Sequence, residues 1–214
     1  MTQVKGLCVM DVDGTLIEEE VIDLLGREAG CEAEISQITS QAMRGELDFE
    51  TSLRARVALL KGLPISVFDT VFKSIHLSKN AQEFISILQK KGILVGLVSG
   101  GLRPIVERLA KSLDISYFSA NQLEVKDGFL TGQLVGDIVT SQVKKATLEK
   151  WRTELGLSKE RTIAIGDGAN DLLMLKSAGH GIAFCAKEVV KAEIACHVDT
   201  RDFLEVLPLI DFLE

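Results

Sequence analysis

The run Gly6-Leu7-Cys8-Val9-Met10-Asp11-Val12-Asp13-Gly14-Thr15 joins an apolar stretch to two carboxylates two residues apart. Gly6 to Met10 reads as a short buried strand ended by a turn. Carboxylates are costly to bury, so a strand that ends in Asp-x-Asp needs a metal, a nucleophilic role, or both. The economical reading is an aspartate that attacks phosphorus beside a divalent cation.

Beyond Thr15 the pattern changes. Residues 17–77 hold few strand signals and much helical periodicity: Val21, Leu24 and Leu25 recur at helical spacing, as do Phe49, Leu53, Val57 and Leu60. Gly30, Gly45 and Gly62-Leu63-Pro64 punctuate this region into helices. From about Asn80 helix and strand alternate. The pattern predicts helices over 81–90, 102–113, 142–155, 171–178 and 189–195, and strands over 93–98, 115–119, 162–165 and 181–184. A last short strand falls near His197. Asp127-Gly128, between two strand-like runs, predicts a hairpin. Such alternation implies an α/β fold: a doubly wound, mostly parallel, Rossmann-like sheet. Residues 1–16 and 78–214 form its core domain. Residues 17–77 form a small all-helical cap domain inserted after the first strand.

The 214 residues fit one domain plus a modest insert, and 46% hydrophobic with 26% charged content fits a soluble protein with a sizeable core. A formal net charge of −7 argues against non-specific nucleic-acid binding. Any phosphate site must therefore be made positive locally, by a cation, a lysine or helix N-termini. No apolar run approaches the ~18 residues that span a bilayer, and no signal peptide precedes the first strand. Cys8, Cys31, Cys185 and Cys196 form no C-x-x-C pair, which points to buried thiols in a reducing, cytoplasmic setting. His76, His180 and His197 show no metal-ligand spacing. Nothing in the pattern calls for an obligatory protein partner.

In open parallel sheets, ligands bind outside the C-terminal strand ends. Three such ends carry polar groups here: Asp11 and Asp13, then Ser99, then Asp167 after Ile163-Ala164-Ile165-Gly166. A carboxylate such as Asp11 can attack a phosphomonoester and form an aspartyl-phosphate. Both partners are anionic, and a hard cation removes much of the repulsion; Mg²⁺ is the usual choice with phosphate. Asp11 and Asp167 can ligate it through their side chains and Asp13 through its backbone carbonyl. The Asp13 carboxyl is then free to protonate the leaving alkoxide and later to deprotonate water. The two aspartates would need opposite protonation states at the outset. Ser99-Gly100-Gly101, placed between strand and helix, lets a phosphate approach the backbone, and the Ser99 hydroxyl adds a hydrogen bond. Lys144 shares a helical stripe with Leu148, Trp151 and Leu155 and can point at the phosphate, whereas Lys145 lies off that stripe and is solvated. Asn170 and Asp171 can orient ligands and Lys144 from behind.

In this order the residues resemble the haloacid dehalogenase-like hydrolase superfamily. The carrying pieces are Asp11-Val12-Asp13-Gly14-Thr15, Ser99, Lys144 and Gly166-Asp167-Gly168-Ala169-Asn170-Asp171, and the helical insert resembles the family's cap. The resemblance implies Asp11 as nucleophile, Asp13 as acid and base, Ser99 and Lys144 on the phosphate, and Mg²⁺ on Asp11, Asp13 and Asp167. Within the superfamily the chain looks most like the phosphoserine phosphatase branch, through Ser99-Gly100-Gly101, the Gly166–Asp171 run and the tail 178–187. That branch implies O-phospho-L-serine as substrate and a place at the last step of L-serine biosynthesis. A phosphoserine site needs an acid for the ammonium and a base for the carboxylate. Glu20 and Arg56 match those positions, and a guanidinium suits a carboxylate. Met43 and Phe49 match the apolar pocket wall, and Gly100 and Asn170 complete the substrate contacts. Gly14 stands where the branch commonly has serine, Val12 where a bulkier residue is common, and Glu188 where proline often follows Ala-Lys. The open alternatives are a phosphatase or phosphotransferase for another small metabolite, such as phosphoethanolamine or a sugar phosphate, and a non-catalytic metabolite-binding regulator. The cap would move on hinges near Ile17 and near 77–80.

Overall fold

A computed structural model describes residues 4–213 of the chain. Seven strands form one sheet: β1 (Gly6–Met10), β2 (Ile93–Leu102), β3 (Tyr117–Lys126), β4 (Phe129–Val135), β5 (Thr162–Gly166), β6 (His180–Phe184) and β7 (His197–Val198). Their order is β4-β3-β2-β1-β5-β6-β7. Every pairing is parallel except β3 with β4. Among the described residues nine α-helices connect them: α1 (Val21–Ala29), α2 (Glu32–Met43), α3 (Phe49–Ala58), α4 (Val67–Lys73), α5 (Ala81–Lys90), α6 (Arg103–Ser112), α7 (Ser141–Glu154), α8 (Leu172–Ser177) and α9 (Glu188–Lys191).

β1 is central and fully buried, as its unbroken apolar run requires. Its side chains alternate between two cores. Cys8 and Met10 join Phe84, Leu88, Ile105, Leu109 and Phe203 on one face; Leu7 and Val9 join Leu148, Trp151, Met174 and Val190 on the other. The chain turns from β1 to β2 on one side and to β5 on the other, so a crevice opens at the C-terminal end of β1. This placement brings the ends of β1, β2 and β5 together.

Residues 17–77 carry α1 to α4, and the two linkers to the sheet meet as an antiparallel pair. Ile17 bridges Leu77, Glu18 N donates to His76 O (3.0 Å) and Ser78 N to Leu16 O (2.9 Å). The insert is not wholly helical. Between α3 and α4, Gly62 N donates to Leu130 O (2.8 Å), Leu130 N to Leu63 O (2.8 Å) and Ile65 N to Gly128 O (2.9 Å). Gly62, at φ +89°, and Pro64 break the helical run, and the edge strand β4 offers unpaired backbone groups to the freed segment.

The hairpin forms at Asp127-Gly128 with φ of 53° and 84°, both left-handed as a type I′ turn demands. Two other expectations change. β2 runs on to Leu102 past an irregularity in its pairing with β3, so Ser99-Gly100-Gly101 is extended backbone and α6 starts only at Arg103. α9 stops at Lys191. The C-terminal residues 203–209 and 211–213 form 3₁₀ turns, the first containing Pro208, whose ring forbids a regular helix. No helix among the described residues is long and apolar enough to cross a membrane.

Candidate active site

Asp11 is the first residue past β1, and its N–H donates to Ile165 O (2.9 Å). The chain then makes a tight turn over 12–16 that Ile17 N closes on Val12 O (3.0 Å), with Gly14 at φ +71°. α7 delivers Lys144 beneath this turn. Fully buried, Lys144 Nζ lies 2.7 Å from Asp11 Oδ1 and 2.7 Å from Asp171 Oδ1. Asp171 Oδ2 accepts from Gly168 N (3.1 Å), and Asp167 Oδ1 accepts from Thr15 Oγ1 (3.0 Å). One carboxylate oxygen each from Asp11, Asp167 and Asp171 fall within 4.8 Å of one another.

Three carboxylates cluster around one ammonium that contacts two of them, Asp11 and Asp171. Burial, then the charge of Asp171, drives Asp11 well above the ordinary carboxylate range, against the pull of Lys144. Burial and Asp171 raise Asp167 likewise, against the Thr15 hydrogen bond. Burial alone would lower Lys144, but Asp11 and Asp171 overcome it and hold the ammonium above its usual value. A cluster of hard oxygen donors with surplus negative charge is a fitting seat for a divalent cation.

Asp13 sits one step further out. Its Oδ1 accepts from Val21 N, the first residue of α1 (2.9 Å), and its Oδ2 from Ser99 Oγ (3.2 Å). Ser99 Oγ in turn accepts from Gly101 N (2.8 Å). Burial raises Asp13 above its ordinary value, although Val21 and Ser99 oppose the shift. Burial therefore raises both Asp11 and Asp13, and what distinguishes the two carboxyls is their partners: Lys144 Nζ on Asp11, Val21 N and Ser99 Oγ on Asp13.

A cavity opens above these groups, between the strand ends and α1 and α3. Asp11, Asp13, Gly100, Gly101, Asp167, Asn170 and Lys187 line it from the segments around the sheet, together with Glu20, Val21, Ile22, Phe49, Leu53 and Arg56 from residues 17–77. Phe49 packs on Gly100 so closely that a Cβ there would lie 2.8 Å from its ring. Arg56 Nε donates to Ser52 O (3.3 Å). Burial lowers Arg56, countered by Glu20, Asp23 and Asp13. Desolvation by the cavity walls, with the charges of Asp13 and Asp167, pushes Glu20 up to about 7.

Asp11, Asp13, Glu20, Phe49, Arg56, Gly100, Asp167 and Asn170 thus share one cavity. Ser99 and Lys144 stand behind the wall, on Asp13 and Asp11 respectively. Asp171 acts on Lys144. The assignment of Met43 to the pocket wall is corrected. It ends α2, is 72% exposed and lies off the cavity, because only Ile35 of that weakly amphipathic helix is buried. Lys187 and Thr15 are additions. Lys187 follows β6, a fourth strand end that the strand-end rule also covers; Thr15 lay inside the opening motif without a role.

Residues 8–176 match the family model for haloacid dehalogenase-like hydrolases. The phosphoserine phosphatase of Streptococcus thermophilus is 54% identical over 211 residues, 99% of this chain and 98% of that one. Among solved structures, a substrate-bound phosphoserine phosphatase complex superposes with a TM-score of 0.91 at 43% identity, covering 96% of this chain and 98% of that one. A phospho-aspartyl intermediate analogue of phosphoserine phosphatase gives a TM-score of 0.90 at 44% identity over 96% and 99%.

Proposed function

Because the chain belongs to the haloacid dehalogenase-like hydrolase family, we propose that it is a phosphomonoester hydrolase acting on O-phospho-L-serine, the step that ends L-serine biosynthesis. The carrying observation is the one cavity that Glu20 and Arg56 line together with Asp11. A small molecule seated there offers its phosphate to Asp11, its ammonium to Glu20 and its carboxylate to Arg56. Phosphoethanolamine and sugar phosphates lack the carboxylate that would justify a half-buried arginine. The relatives of similar length that bear the phosphoserine phosphatase name support the same substrate.

Lys144 fixes Asp11 by Oδ1 and leaves the other oxygen to attack phosphorus. As that bond forms, the bond from phosphorus to the serine oxygen breaks, and Asp13 gives its proton to the departing oxygen. Ser99 and the Val21 N–H aim the Asp13 carboxyl. Asp13, now ionised, takes a proton from water, which attacks phosphorus, releases phosphate and restores the Asp11 carboxylate. Asp11 and Asp167, with the Asp13 carbonyl, would hold Mg²⁺, which when bound offsets the repulsion between substrate and carboxylates. Gly100 lets the phosphate reach the backbone, and Asn170 borders it. Residues 17–77 serve as the cap domain over the core of 1–16 and 78–214, carried on the paired linkers at Ile17 and Leu77.

A phosphomonoester screen with and without Mg²⁺ tests the substrate. Phosphoserine should rank first, and Arg56→Ala should lower kcat/KM for phosphoserine by about 10²-fold, the loss of a charge-assisted pair, while sparing an aryl phosphate. Equal losses on both substrates would remove Arg56 from carboxylate recognition.

A further inference from the structure

The C-terminal segment reaches the catalytic turn through one side chain. Arg201 Nη1 donates to Gly14 O (3.0 Å) and to Ser78 Oγ (3.2 Å). Ser78 is buried, and its hydroxyl donates to Thr15 O (2.6 Å). Thr15 Oγ1 donates to Asp167 Oδ1 (3.0 Å). Two successive carbonyls of the Asp13-Gly14-Thr15 turn are therefore held from outside, at the point where the second linker enters the sheet domain. The neighbouring Asp202 grips that linker without touching the turn. Its carboxylate meets Lys79 Nζ (2.8 Å) and Asn80 Nδ2 (2.8 Å), and Phe203 N donates to Lys79 O (3.0 Å).

The turn needs such a hold. Gly14 is at φ +71°, and its N–H has only a long contact to Glu19 O (3.4 Å). Asp13 lies on one side of Gly14 and Thr15 on the other, so a rotation of this peptide would move the acid and the anchor of Asp167 together. A guanidinium is suited to the task, since Nη1 alone carries two N–H donors in fixed directions and the group keeps its charge.

We propose that Arg201 is a positioning residue for phosphoryl transfer: it fixes the Gly14 carbonyl and the Ser78 hydroxyl, and through them the registration of Asp13 and Asp167 at the foot of the cap. The proposal rests on the phosphatase reading. Displacement of catalytic groups by about 1 Å costs on the order of 10²-fold in rate. Arg201→Ala should lower kcat by about 10- to 100-fold on both phosphoserine and an aryl phosphate, with each KM within about threefold of the parent. Arg201→Lys, which keeps the charge on a shorter side chain without the planar group that sets the donor directions, should fall between the two. Asp202→Asn should keep the parental kcat. In the substrate-free protein, Mg²⁺ titrated by calorimetry should bind several-fold more weakly to Arg201→Ala than to the parent.

A folded Arg201→Ala enzyme with kcat within about twofold of the parent would overturn the proposal, and so would equal losses in Arg201→Ala and Asp202→Asn, which would make the segment a general brace. If Arg201→Ala fails to fold, parental kcat in folded Arg201→Lys overturns it. A parent inactive on both substrates would instead sink the phosphatase reading.

Discussion

Replacing Lys144 with methionine keeps its length and removes its charge, and the consequences can be worked out from three carboxylates. Lys144 has no exposed surface and contacts both Asp11 and Asp171 at 2.7 Å, with Asp167 in the same 4.8 Å cluster. Breaking a buried pair by deleting one partner costs about 3–5 kcal/mol. Because this ammonium serves two carboxylates, the upper half of that range is expected. The whole fold is worth about 5–15 kcal/mol. At this chain length each kcal/mol moves Tm by about 2–4 °C, so Lys144→Met should melt about 8–20 °C below the parent in EDTA near neutral pH. The sign of the pH effect follows from the same cluster. Burial and mutual repulsion already raise Asp11 and Asp167, and without Lys144 they rise further. A carboxylate raised in the folded state holds a proton that the unfolded chain has released. Acidification through that window therefore stabilises the fold relative to neutral pH, and the deficit should shrink about two pH units lower. Adding Asp171→Asn removes one repelling charge and keeps an acceptor for Gly168 N, so the double variant should regain at least half of the lost stability. Turnover stays lost in both, which separates charge balance from catalysis. The assay is thermal and urea unfolding followed by circular dichroism at two pH values. A variant that melts within about 2 °C of the parent, or a deficit that grows on acidification, would refute the reasoning.

Glu20 should impose a pH dependence on substrate recognition. Held up to about 7, it loses the ionised form that meets the ammonium as pH falls through neutrality, so KM for phosphoserine should rise by up to about tenfold per pH unit below that point. An aryl phosphate shares the substrate phosphate's own titration and serves as the reference; Glu20→Gln should flatten the difference between the two profiles. The adjacent glycines should split by kinetic parameter. A Cβ on Gly101 collides with Asp13 Oδ2 and comes within 2.9 Å of Ser99 Oγ, so Gly101→Ala should lower kcat by on the order of 10²-fold. A Cβ on Gly100 presses on the Phe49 ring at the cavity wall and touches Asn170 Nδ2 only at an ordinary 3.7 Å, so Gly100→Ala should chiefly raise KM, as steady-state kinetics on phosphoserine will record.

Elements written in local patterns were legible in the sequence. The buried run Gly6–Met10, the amphipathic α5 and the Asp127-Gly128 turn each follow from a few neighbouring residues. Lys144 was legible too, because it shares the α7 stripe with Leu148 and Trp151, which bury it. Other features depend on surfaces that only the folded chain creates. Residues 62–65 pair with β4 because that strand lies at the edge of the sheet, which no local pattern states. Ser99 carried a hydroxyl fit for phosphate, yet the continuation of β2 points it at Asp13. Met43 matched a pocket position by sequence, but the weak apolar face of α2 leaves it outside. Arg201 is one arginine in an irregular segment, 187 residues from the carbonyl it holds.

Gly14 is where the sequence departs from the phosphoserine phosphatase pattern inside its most telling motif, and the geometry decides what that departure touches. At φ +71° glycine is the residue this backbone suits best. A Cβ there would lie 3.1 Å from Asp167 Oδ2, on the carboxylate side of the turn. Gly14 does not border the cavity, whereas Glu20 and Arg56 do. A serine at this position would therefore press on Asp167 and its bond from Thr15, and would leave the ammonium and carboxylate contacts as they are. The departure bears on how the Asp167 carboxylate is held, so under the proposed function the choice of phosphomonoester rests on Glu20 and Arg56, which line the cavity where Gly14 does not.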